Sequence, residues 1–160
     1  MSLLQSSSVR WLLVTSFCVF LAVAGIGEGA EPSSDKPVAL DAHDAQLKWG
    51  PCPPLFPKGC EIAVLHGDPS EPNADVFLKV PANYTIPPHW HTSAERMVLV
   101  SGELHVEYDG HGSSVLMPGT YAYGPAKAPH KASCKASAAC VLFIAFESPV
   151  DAHSSDGSKR

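Results

Sequence analysis

From Glu61 onward, proline and glycine cut the chain into runs of four to seven residues, none long enough to sustain a helical period. The runs are 61–66, 75–80, 97–100, 103–108, 114–117, 121–124, 130–134 and 140–146. Turn signals such as Gly67-Asp68-Pro69, Pro81-Ala82-Asn83 and Asp109-Gly110-His111-Gly112 separate them. Glu103 to Tyr108 alternates, which turns Leu104, Val106 and Tyr108 inward and leaves Glu103, His105 and Glu107 to water. Val141 to Phe146 is apolar throughout, the pattern of a strand covered on both faces. Many short strands at this spacing predict an all-β sandwich or barrel.

The flanks read differently. Arg10 precedes an apolar core, Trp11 to Val23, too short for a membrane span, and small residues follow it. That order predicts a secretory signal peptide over residues 1–24, cut somewhere in 24–30, with an uncleaved anchor as the alternative. Residues 25–37 read as a flexible lead-in, 38–151 as one domain, and 152–160 as a polar tail expected to fray. Within the domain, Val38 to Trp49 admits either a strand or one helical turn. Gly50 to Cys60 is expected to be irregular because its prolines lack donors and fix φ. Loss of residues 1–24 removes Arg10 and no acid, so the formal charge moves from −5 to −6. An acidic product with no basic run has no electrostatic footprint for nucleic acid or for an anionic membrane. The expected destination is the periplasm or the extracellular space.

Cys18 leaves with the signal, and Cys52, Cys60, Cys134 and Cys140 remain. An even count in an exported chain favours disulfides over thiols. Of the three possible pairings, spacing prefers Cys52–Cys60 with Cys134–Cys140. The second pair flanks a short turn, Ala136-Ser137-Ala138, and is expected to face across two adjoining strands. A free Cys134 thiol near the site is the alternative. Asn83-Tyr84-Thr85 matches a glycosylation acceptor, and Asn83 also suits a turn.

The chemistry sits in two stretches. In Pro87-Pro88-His89-Trp90-His91-Thr92-Ser93-Ala94-Glu95, two imidazoles lie two residues apart, so an extended backbone aims both at one point. Glu95 adds a carboxylate, and this donor mix suits a divalent first-row metal. The second stretch, Gly119 to His130, runs strand, turn, strand and delivers a third imidazole. Trp90 and Arg96 are expected to point away from the centre, Thr92 and Ser93 to orient a histidine or form the turn. Tyr121 and Tyr123 share one strand face and are expected to pack the barrel or line its cavity.

Together these stretches resemble the cupin superfamily. The first cupin motif is met from His89 through His91 and Glu95 to Gly102, with Asn83 standing where the motif begins on glycine. The second is met by Gly119, Pro125 and His130, with Lys127 in place of a glycine and Cys134 in place of an asparagine. The resemblance implies a jelly-roll barrel of two antiparallel sheets whose mouth holds one metal. It implies His89, His91, Glu95 and His130 as ligands, with manganese, iron, nickel, copper, cobalt or zinc as the ion. Four such ligands leave open positions for a small-molecule substrate, so an oxygen-dependent dioxygenase or oxidase is the expected activity, with isomerase or lyase chemistry on the same ligands also open. Glu95 is the expected proton carrier and catalytic residue. A metal- or ligand-binding cupin without catalysis is the alternative, and a homodimer the expected assembly.

Overall fold

The computed structural model describes residues 36–155; the expected signal peptide, most of the lead-in and the last five residues lie outside that range. Among the described residues every regular element is a strand. In chain order these are β1 (Gly50–Pro51), β2 (Glu61–His66), β3 (Ala74–Val80), β4 (Thr85–Trp90), β5 (Glu95–Ser101) and β6 (Leu104–Tyr108). They continue with β7 (Gly112–Leu116), β8 (Tyr121–Gly124), β9 (His130–Cys134), β10 (Cys140–Phe146) and β11 (His153–Ser154). They form two sheets, one ordered β1-β2-β3-β10-β5-β8 and the other β11-β4-β9-β6-β7. Every pairing is antiparallel, as a jelly roll requires.

Strand parity builds the core. Leu99, Leu142, Leu104 and Leu116 are almost fully buried and face one another between the sheets. β10 is flanked by β3 and β5 and buries both faces: Leu142 and Ile144 turn to the core, while Val141 and Phe143 turn outward. That outer face is covered by Leu40, Leu47 and Trp49. Val38 to Trp49 therefore forms neither of the expected elements. It is a pair of turns, Asp44 N donating to Asp41 O at 3.1 Å and Leu47 N to Asp44 O at 3.2 Å, laid over β2, β3 and β10. Covering the sheet is what its apolar residues contribute.

Three further expectations are corrected. Gly50 and Pro51 do pair, with Ile62 and Glu61, because a proline is tolerated on an edge strand. His153 and Ser154 do not fray, since they pair with Trp90 and His89. Cys134 and Cys140 are bonded, with Cα atoms 5.8 Å apart, but not across adjoining strands. β9 belongs to the five-stranded sheet and β10 to the six-stranded one, so this disulfide ties the two sheets together. Gly102, at φ 90°, makes room for it: a Cβ there would lie 2.7 Å from Cys140 Sγ. Cys52 and Cys60 close the proline loop, whose Cys52 N also donates to Cys60 O at 3.1 Å.

Candidate metal centre

Register assembles the site from strands far apart in sequence. His89 on β4 stands opposite His130 on β9, and His130 stands opposite Tyr108 on β6. The three side chains form a row across the inner face of the five-stranded sheet. Ile86 and His89 are an odd number of residues apart, so a regular strand would turn them to opposite faces. Both are nonetheless 4% exposed. The β4–β9 register shifts between them, and the extra residue returns His89 to the inside. Pro87 and Pro88 occupy the shift, where a missing donor removes no ladder bond. His91 follows the end of β4. Glu95 opens β5 on the facing sheet, flanked by Phe146 of β10 and Gly124 of β8.

Each imidazole is oriented by a backbone carbonyl on its Nδ1. The partners are Pro87 O for His89 at 2.7 Å, Ala128 O for His130 at 3.0 Å, and Asp151 O for His91. A carbonyl only accepts, so Nδ1 carries the proton and Nε2 keeps its lone pair. The ligand nitrogens of His89, His91 and His130 lie within 4.8 Å of one another. Glu95, 3% exposed, places one oxygen 3.4 Å from Nε2 of His91 and the other 3.4 Å from Nε2 of His130. Burial lowers the His89 pKa to about 3, assisted by the neighbouring His130 and His91. Burial likewise lowers that of His130, against the pull of Glu95. Both are held in the neutral form that binds metal. Three buried histidines here can hold a metal ion, and the donor chemistry fits one.

Two residues that sequence reasoning did not assign to the site shape it. Tyr108 donates from its hydroxyl to Glu95 Oε1 at 3.2 Å, and its ring lies 4.7 Å from that of His130. Burial, then the Glu95 charge, raises the phenol pKa, so it remains a donor. Gly124 leaves the space they occupy: a Cβ there would stand 2.4 Å from Tyr108 Oη and 2.7 Å from Glu95 Cγ. Alternation points Tyr108 inward, but only the register puts it beside His130. The turn that precedes His130 also depends on Lys127, which adopts φ 61° where the motif has glycine and donates its N–H to His91 O at 2.8 Å. Asn83, at φ 57°, makes the left-handed turn that its sequence position predicts.

The centre opens on a cavity of about 70 Å³ between the sheets. Met97 and Phe146 line it, and Phe56 of the Cys52–Cys60 loop sets its ring edge-on to His89 at 5.1 Å. Trp90 points away and stacks on His153 at 4.2 Å, and Arg96 pairs with Glu147 on the outside. Ser93 and Thr92 bond to the segment after β10. Ser93 Oγ accepts from Glu147 N and Ser148 N at 2.9 Å each, while Thr92 N donates to Asp151 Oδ1 at 2.8 Å. Those bonds hold the segment after β10, and with it the carbonyl behind His91. Tyr121 and Tyr123 neither pack the barrel nor line the cavity: they are 60% and 50% exposed, on the outer face of the edge strand β8.

The comparisons agree with this architecture. A polyketide cyclase from Streptomyces resistomycificus superposes with a TM-score of 0.61 at 17% identity, covering 76% of this chain and 89% of its own. An RmlC-like cupin from Shewanella frigidimarina gives 0.54 at 23% identity, over 66% and 86%. A DMSP lyase from Ruegeria pomeroyi gives 0.58 at 19% identity, over 71% of this chain but only 64% of that one. The chain thus spans less than two thirds of the lyase, and likenesses at these identities show the fold alone. A comparison with curated proteins found no match. The model of the ChrR cupin-like domain matches residues 39–149, a stretch that runs from the covering turns through both motifs. The chain belongs to that ChrR cupin-like family of the cupin superfamily.

Proposed function

We propose that this chain is an exported metalloenzyme that acts on a small organic molecule, of the oxygen-dependent dioxygenase or oxidase type. One observation carries the reading: three imidazoles with their Nδ1 atoms held by carbonyls turn their Nε2 atoms, with Glu95, into an apolar cavity. His89, His91, Glu95 and His130 would hold one divalent transition metal. When bound, it would supply Lewis acidity and, for a redox-active ion, electron transfer. The protein's own groups do the rest. The carbonyl anchors keep the imidazoles aimed, burial keeps His89 and His130 neutral, Glu95 would serve as the proton carrier, and Tyr108 steadies that carboxylate. The walls around these groups are largely apolar. Export is supported by the two disulfides, which persist in an oxidising compartment. A homodimer is supported by Tyr121 and Tyr123, exposed on an edge strand. Sedimentation velocity that finds only monomer at micromolar concentration would remove it.

The test is elemental analysis of protein purified from its native compartment without added metal, followed by oxygen-electrode assays on a panel of diketones and carboxylic acids. Stoichiometric iron, manganese, nickel or copper with substrate-dependent oxygen uptake supports the proposal. Stoichiometric metal with no turnover in air or under nitrogen supports the second reading, a cupin that binds metal or ligand without catalysis. The small volume of the cavity favours that reading.

A further inference from the structure

The chemical class of the ligand is written on the cavity wall. Resting on the reading of His89, His91, Glu95 and His130 as a metal centre, we propose that the cavity takes a small, apolar-bodied molecule that is neutral or carries one negative charge, and refuses dianions. Ile62, Leu78, Ile86, Val106, Leu142 and Ile144 make up much of the wall. Its ionisable side chains are the three imidazoles, Glu95 and Asp151; among the described residues no lysine or arginine lines it. The Asp151 carboxylate is already engaged, by Thr92 N at 2.8 Å and by His153 Nε2 at 3.0 Å.

Charge decides what enters. A divalent ion with Glu95 leaves one positive charge in the centre. One negative charge on a ligand balances it. A second would stand in an apolar wall with neither cation nor free donor to meet it, and burying an unpaired charge is heavily disfavoured. Hydrogen-bond recognition is equally sparse, because Tyr108 spends its hydroxyl on Glu95. The ligand is therefore held by one donor atom on the metal and by its hydrocarbon body on the wall.

Size is set by a wall that is built in advance. Cys52, Pro53 and Phe56 line the cavity from the proline loop. That loop is closed by the Cys52–Cys60 disulfide and held by Tyr84, in the turn between β3 and β4, whose hydroxyl donates to Pro57 O. A volume of about 70 Å³ is several times the ~10–15 Å³ that one water needs, and about half of an apolar cavity that takes benzene. A ligand of a few heavy atoms fits.

The test uses acetone and acetate, small near-isosteres that differ by one charge, and pyruvate and oxalate, near-isosteres that differ by the second charge. Acetone, acetate and pyruvate are titrated by saturation-transfer NMR into metal-stripped and zinc-loaded protein, and oxalate is read by its displacement of the acetone signal. Acetone is expected to bind both forms, acetate and pyruvate the zinc-loaded form alone, and oxalate neither. Ala132→Leu, which fills the wall beside His130, is expected to weaken acetone about tenfold. Should that variant fail to fold, the isosteric pairs decide without it. Oxalate binding to the zinc-loaded protein within about tenfold of pyruvate overturns the proposal. So does the absence of acetone binding from both forms. Metal analysis of the same samples separates the two readings: no retained zinc with acetone still bound removes the metal centre and leaves the apolar cavity, whereas retained zinc with oxalate bound does the reverse.

Discussion

At the scale of single residues, the site depends on small groups that make space as much as on those that donate. Gly124 is the clearest case, because any Cβ there collides with the two side chains that fix the carboxylate. Gly124→Ala should push Glu95 away from the imidazoles and lower metal affinity by roughly 10–100-fold, measured by competition with a chromophoric chelator. An unchanged affinity would show that Glu95 is not a ligand. The imidazoles make a second prediction. The folded pKa of His89, about 3, lies below its ordinary 6.5, so on acidification the unfolded chain takes the proton first. Its contribution to stability is complete above pH 6.5 and is lost as pH falls from about 6.5 toward about 3. The slope is at most about 1.4 kcal/mol per pH unit. Urea unfolding of metal-free protein between pH 7.5 and pH 4 should show this loss, and His89→Gln should flatten it. Equal slopes in the two proteins would contradict a neutral buried His89.

At the scale of elements, the irregular step in β4 determines which way the first motif faces. Ile86 pairs with Ala132 and His89 with His130, three residues along one strand against two along the other. Deleting Pro88 removes the extra residue and restores a regular ladder. Ile86 and His89 then stand two residues apart, so both still face inward, and the expected result is that the row with His130 and Tyr108 holds and metal is retained in elemental analysis. A deletion variant whose metal falls to background would mean that strand parity does not aim the ligand. The same element shows where sequence reading stops. The runs for β2, β8, β9 and β10 agree with the strands found, because hydrophobic run length and turn residues act locally. β4 was not among them: two adjacent prolines argue against a strand until the bulge that accommodates them is seen.

At the scale of the whole molecule, the centre joins the two sheets. His89, His91 and His130 come from the five-stranded sheet or its edge, and Glu95 from the six-stranded one. A bound ion should therefore act as a second cross-link beside Cys134–Cys140. Chelation is expected to lower the melting temperature in scanning calorimetry. The change corresponds to about 2.7 kcal/mol when free metal stands at roughly 100 times its dissociation constant. Restoring metal should restore the melting temperature. A transition indifferent to metal would mean that the ion does not bind the folded state preferentially.

The sequence by itself determined the class of fold, the limits of most strands and the partnership of His89 with His91, since each follows from residues a few positions apart. It also carried the disulfide pairs and, through motif resemblance, the addition of Glu95 and His130. Tertiary structure alone decided that Tyr108 stands beside His130, that Asp151 anchors His91, that Gly124 shelters Glu95 and that the second disulfide spans two sheets. It also left Tyr121 and Tyr123 outside. The reason is physical: local pattern sets which way a side chain points from its own strand, whereas the neighbour it meets is set by register between strands distant in the chain, and register is chosen by the packing of the whole core.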